Sequence, residues 1–333
     1  MSELQPKPDT ITKHLEAVYP SFALHAAMQL DIFTQLHHKS LSMEELAQVI
    51  DVQAYKLRPV LFILVQAGLL NYARFLFSNT PETDRYLVKG KPDYMGTRVG
   101  LNSSNWRRML DTAEIVRAGK PPAAYDDPAS PDEFYKFFRG LYPGAVEDAK
   151  LLLERHNFKD CEMLLDVGGG AGGLGITIAK ANPELKATII DLPLVTPITN
   201  QFVNQENVTD QVDVASVDAV NEMLPGTYDV VVARHLIQVL SPKDAGLLLG
   251  NISDAVNPGG KLFIIGYILD DSRQAPAKAV DFNLILITSS EYGEAYTEQE
   301  YRAWLENAGF VAFSRVMLPN GSSLISVTKP GIT

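Results

Sequence analysis

The sequence predicts an α/β chain in two parts: a helical front, then a parallel sheet with helices on both faces and an antiparallel last strand. Three observations carry this reading. Apolar residues at helical spacing dominate the front of the chain, β-rich runs alternate with helical stretches behind it, and the C-terminal segment holds two strands joined by a turn alone.

Length and composition agree. A chain of 333 residues with 46% hydrophobic and 21% charged residues suits two domains with a sizeable core. The apolar runs stop short of the ~20 residues that a membrane span needs. The start MSELQPKPDT lacks the basic-then-apolar character of a signal peptide. A single cysteine, Cys161, excludes an internal disulfide framework, and a net charge of -11 argues against an extended nucleic-acid surface. The expectation is a cytoplasmic protein whose partners are small molecules or copies of itself.

In the front part, Ser21 to Leu36 places Phe22, Ala26, Leu30 and Phe33 on one helical face. Ser42 and Glu45 form a capping box that opens a helix from Met43 to Ile50. A further helix runs from Ala54 to Gln66 and stops before Gly68. The segment YARFLFSNTPETDRYLV then reads as two short strands around a turn, completing a winged-helix-like unit. Its presumed recognition helix carries Lys56 and Arg58 ahead of an almost wholly apolar stripe, which suits packing or dimerisation better than a DNA groove. The loop-like stretch Gly119 to Pro131 separates the parts, giving domains at 1–115 and 116–333. His37-His38 has no carboxylate spaced to complete a metal site, so no metal is expected.

Strands are predicted at Met163–Val167, Ala187–Ile190, Val212–Ala215, Asp229–Ala233 and Lys261–Leu269, with helices such as Leu174–Ala181 and Pro242–Val256 between them. The tail adds two strands around Pro319-Asn320-Gly321. The sharpest signal is LLDVGGGAGGLG, Leu164 to Gly175. Gly168, Gly169 and Gly170 allow a tight turn and close approach of the backbone to a ligand. The spacing also satisfies a dinucleotide fingerprint. Asp166 decides against it: a carboxylate before the glycines would repel a pyrophosphate but suits a ligand with an ammonium group. Asp191, closing the next strand, can accept ribose hydroxyls from either kind of ligand.

The stretch LLDVGGGAGGLGITIAKANPELKATIIDLP resembles the cofactor site of class I S-adenosylmethionine (SAM)-dependent methyltransferases. The whole chain is similar to small-molecule O-methyltransferases of the caffeate, hydroxyindole and bacterial polyketide type, through ALHAAMQLDIFTQL, AYKLRPVLFILVQAGLL, NPGGKLFIIGYIL and YTEQEYRAWLENAGF. The resemblance implies a Rossmann-like sheet of seven strands, SAM as cofactor, and a homodimer formed through the front domain. It implies that Asp191 holds the ribose, Leu192 lies along the adenine, Asp218 nears the adenine amine and Arg234 nears the cofactor carboxylate. Val217 stands where the family carries Gly.

The family's catalytic His sits in an HDW motif that falls here on Gln238-Val239-Leu240, and its supporting Glu falls on Ala295. Gln cannot act as a base at neutral pH. Three readings follow. His235 or Glu294 substitutes as base, or the acceptor needs no strong base, or the chain binds SAM without methylating. General base catalysis supplies about 10²–10⁴-fold, whereas orientation supplies roughly 7–11 kcal/mol. A thioether, thiol or ionised phenol therefore fits the missing base best, with methylation by proximity. Tyr142, four residues after Phe138, is placed to orient the acceptor through its hydroxyl.

Overall fold

The computed structural model describes residues 7–122 and 131–331, without the side chains of Ser104 and residues 131–133. The N-terminal start and most of the loop-like stretch at Gly119 to Pro131 lie outside the described residues. The chain divides into two compact units, Met1–Ser104 and Asn105–Thr333.

In the first unit the expected apolar helix is two helices, Val18–Gln29 and Ile32–Gln35, broken at Asp31, whose φ is +58°. The buried face also differs, by one residue within the first of these helices. Ala23, Ala27, Ile32, Phe33 and Leu36 form the core, while Phe22 is half exposed, so the predicted face is corrected. Ser42 accepts the Glu45 N–H and Glu45 returns a contact to the Ser42 N–H, completing the predicted capping box on helix Met43–Val49. Helix Ala54–Gln66 follows with the predicted bounds. Strands β1 (Leu70–Ala73) and β2 (Leu76–Asn79) pair antiparallel across Arg74 and Phe75, both left-handed. The rest of the predicted strand pair differs: Thr80 caps a helix, Pro81–Tyr86, with Pro at its first turn where no N–H is needed. His37 bonds Asp84 of this helix at 2.8 Å, a partner that linear spacing hides.

The second unit is built on seven strands in the order β5-β4-β3-β6-β7-β9-β8. These are β3 (Met163–Val167), β4 (Lys186–Asp191), β5 (Val212–Ser216), β6 (Tyr228–Arg234), β7 (Val256–Gly266), β8 (Val311–Met317) and β9 (Ser323–Thr328). The first five pair in parallel; β9 enters antiparallel between β7 and β8. Successive residues of β3 serve opposite faces: Leu164 packs with Leu174, Ile178 and Ile189, and Leu165 with Val231, Leu248 and Ile264. Both faces are therefore covered, as the continuous apolar strands require. The order reverses between β3 and β6, and at such a switch point the carboxyl ends of the strands open a crevice. No described helix is long and apolar enough to cross a membrane.

Candidate active site

The glycine loop lies at that switch point. Gly168, Gly170 and Gly172 have φ of +64°, +58° and +81°, which side chains adopt only with strain. Space is also short. A Cβ on Gly169 would run into Ile189, and one on Gly170 would stand 3.1 Å from Phe138.

Two carboxylates fix the loop. Asp166 is fully buried; its Oδ2 accepts the Gly175 N–H at 2.8 Å, in the first turn of helix Gly173–Ala181. Its Oδ1 is buried with no hydrogen-bond partner. Burial pushes its pKa up to about 7, against the pull of the Gly175 N–H. Asp191, at the end of β4, accepts the Gly170 N–H through Oδ2 and the Leu192 N–H through Oδ1, each at 2.8 Å. Burial raises its pKa as well. Thr199 secures the other side of the loop by donating to the Gly170 carbonyl at 2.6 Å. Each Asp191 oxygen keeps a lone pair for a ribose hydroxyl. Asp218, after β5, caps its own turn through the N–H groups of Val220 and Asn221.

This donor set fits SAM. The Asp191 oxygens, each with a lone pair to spare, suit the ribose hydroxyls, while Asp166 keeps one oxygen unpartnered beneath the loop. Asp191 and Leu192 stand side by side at its rim.

Arg234 ends β6, and its Nε donates to Asp148 Oδ2 at 2.6 Å. Asp148 is 1% exposed, on helix Pro131–Leu153, and its Oδ1 accepts Asn320 Nδ2 at 2.6 Å. This is a partly buried bridge and not a loose surface pair. It ties the strand end to the helix and to the turn between β8 and β9.

His235 follows with φ of +53°, a conformation that His tolerates better than most residues. Its N–H donates to the Ile265 carbonyl at 2.7 Å. The half-buried ring lies 5.0 Å from Tyr267 and 6.2 Å from Phe282, centroid to centroid. Burial and the Arg234 charge push its pKa down to about 4, so it is neutral at pH 7. Gln238 is buried in the turn Ile237–Val239. Its Oε1 accepts the Tyr267 N–H at 3.1 Å and lies 3.2 Å from His235 Nδ1.

The 234–240 loop is stitched to the 290–296 segment. Glu294 N–H donates to the Gln238 carbonyl at 2.9 Å, Ser290 to Val239, and the Tyr296 hydroxyl to Leu240 at 2.6 Å. The Glu294 carboxylate, however, turns outward to pair with Arg273. Ala295 is fully buried and its N–H donates to Asn283 Oδ1 at 2.6 Å.

Asp166, Gly168, Gly169, Gly170, Asp191 and Leu192 thus gather on one side of the switch point, and Arg234, His235 and Gln238 on the other. Tyr142 does not join them. Its ring stacks on Phe202 at 4.5 Å and its hydroxyl lies against Glu206, where burial first and that charge second raise its pKa. Phe138 reaches the loop instead. Sequence reasoning missed Asp148 and Asn283. For Asp148 a signal existed: a carboxylate interrupts the buried stripe Ala145, Ala149 and Leu152.

Comparison with known proteins gives the family. The O-methyltransferase domain family matches residues 121–311, and the O-methyltransferase dimerisation domain matches residues 12–89. The chain is 28% identical to a tetracenomycin polyketide synthesis 8-O-methyl transferase of Streptomyces glaucescens, over 97% of each chain. It is 26% identical to a 3-hydroxy-5-methyl-1-naphthoate 3-O-methyltransferase of Streptomyces sahachiroi, over 97% of this chain and 95% of that one. Human N-acetylserotonin methyltransferase, solved in complex with SAM, shares the fold with a TM-score of 0.86 at 22% identity, over 99% of both chains.

The buried carboxyl sets a pH dependence. A raised Asp166 pKa favours the folded state below about pH 4, where both states are protonated, and that stability is lost as pH rises through 7. Urea denaturation of the ligand-free protein at pH 5 and pH 8 should show the loss, and Asp166→Asn should flatten it. An unchanged slope in the variant would assign the effect to other groups.

Proposed function

As a member of the SAM-dependent O-methyltransferase family, which the match over residues 121–311 establishes, this chain is a methyltransferase, and we propose that it methylates an acidic hydroxyl on a small aromatic acceptor. One observation carries the proposal. Gln238, which the sequence resemblance puts at the family's base, already gives its oxygen to Tyr267 N–H, and Ala295, which it puts at the supporting Glu, is buried. Little proton-abstracting power is left, so the nucleophile must supply much of its own reactivity. A phenol does so, and two relatives are named for transfer to hydroxyls of polyketide or naphthoate compounds.

In this reading SAM supplies an electrophilic methyl group. Asp191 and Leu192 hold its nucleoside end, Asp166 its ammonium group, and Arg234 its carboxylate, with Asp218 near the base. Phe138, the 234–240 loop and the 290–296 segment border the acceptor and exclude water. Orientation over the methyl group then contributes roughly 7–11 kcal/mol. A sulfur acceptor would satisfy the same missing base and is the rival outcome. A cytoplasmic setting belongs to the same proposal.

The test is a methyl-transfer screen over matched phenols, aliphatic alcohols, thiols and thioethers, with SAM affinity measured by calorimetry. Turnover on phenols is expected. Turnover on sulfur alone would replace the phenol reading, and turnover on aliphatic alcohols would show that a strong base exists. Asp191→Ala should weaken SAM binding by about tenfold to 150-fold, the loss of charged hydrogen bonds worth about 1.5–3 kcal/mol.

We also assign the homodimer contact to the first unit. Ile11, Leu15, Val18 and Tyr19 form an exposed apolar stripe at helical spacing where the matched dimerisation segment begins. Leu15→Glu with Tyr19→Glu should halve the sedimenting mass. A mass unchanged by the pair would move the contact elsewhere.

A further inference from the structure

The acceptor's proton needs a destination, and the polar turn after β6 provides one. Gln238 Oε1 accepts the Tyr267 backbone N–H, and a backbone N–H can only donate. The atom facing His235 Nδ1 at 3.2 Å is therefore an oxygen, and Nδ1 must carry the ring's hydrogen. Nε2 is left with its lone pair and has no hydrogen-bond partner among the described residues. The left-handed backbone at His235 presents the ring against Tyr267 and Phe282, on the same loop that the 290–296 segment closes. There is no slack in the fork: a Cβ on Gly266 would stand 3.0 Å from Gln238 Oε1 and 4.0 Å from His235 Nδ1.

We infer that Gln238 is a positioning residue that locks His235 in the Nδ1–H tautomer, so that His235 Nε2 receives the acceptor's hydroxyl proton. The inference rests on the phenol reading for the proton's source, but the tautomer does not depend on it. As the oxygen–carbon bond forms and the carbon–sulfur bond breaks, the hydroxyl proton passes to Nε2. The resulting imidazolium returns it to water after product leaves. Arg234, Lys278 and Asp148 are the charged groups acting on the ring; the two cations disfavour the imidazolium and Asp148 favours it. His235 is thus a weak base suited to a hydroxyl that gives up its proton readily. Gln238, standing where the family carries the base, acts through its neighbour.

Nitrogen NMR of protein carrying ring-labelled histidine tests this without any acceptor, with the His235 signals identified by their loss in His235→Gln. The wild type should show Nδ1 protonated and Nε2 bare at pH 7. Gln238→Met should shift the ring towards Nε2–H and lower kcat on the phenol found in the screen by about tenfold or more, with SAM affinity unchanged. Gln238→Glu keeps the acceptor oxygen, so it should preserve the tautomer and move the acid limb of the kcat profile to higher pH, because a carboxylate stabilises the imidazolium. An Nε2–H ring in the wild type overturns the lock. A bare Nε2 together with full activity in His235→Gln overturns the proton transfer. If Gln238→Met does not fold, the tautomers of the wild type and Gln238→Glu decide the lock. A chain that proves to methylate sulfur leaves the NMR result standing and fails only the phenol reading.

Discussion

The burial of one carboxyl group beneath the glycine loop constrains the rest of this site. Asp166 has no access to water, one oxygen held by the Gly175 N–H and the other without a partner. An unmet buried acceptor costs free energy, and it persists because β3, the loop and the following helix over-determine its position. The glycines follow from this arrangement. A Cβ on Gly169 would run into Ile189, and one on Gly175 would stand 3.0 Å from Asp166 Oδ2, so both positions favour glycine. Asp191 then reaches back from the neighbouring strand to the Gly170 N–H, and the loop has one shape.

The other side of the crevice is organised by hydrogen bonds between residues far apart in the chain. Arg234, Asp148 and Asn320 join the end of β6, the long helix and the final turn. His235, Gln238 and Tyr267 join the loops after β6 and β7. The first group fixes position and the second sets a protonation state. In the inference drawn above, His235 in place of a base at position 238 is a weak proton acceptor, and the demand for reactivity passes to the acceptor.

Much of the fold was legible because local rules fix it. The β-rich runs, the capping box at Ser42 and the turn at Asn320-Gly321 depend on periodicity and on residues three or four apart. The predicted face of the first helix was one residue out of phase, with Ala23 and Ala27 inside in place of Phe22 and Ala26, because every one of these positions is apolar and spacing alone does not choose among them. The wing's continuation failed because Thr80-Pro81 is a helix start within a β-rich segment. In the site, Asp166, the glycines and Asp191 could be read from one short stretch. Tyr142 could not, since the direction of its hydroxyl depends on Phe202 and Glu206 from another helix. The partnership of Arg234 with Asp148 spans 86 residues and had no local trace beyond one carboxylate on an apolar face.

In the function proposed above, the acceptor's own acidity carries much of the proton cost that a strong base would otherwise meet. The most direct measurement is kcat/KM across a series of phenols of graded acidity and similar shape, at one pH and saturating SAM. Rates should rise steeply as the phenol becomes more acidic, with aliphatic alcohols inert. Rates indifferent to acidity would contradict it and require a base stronger than His235.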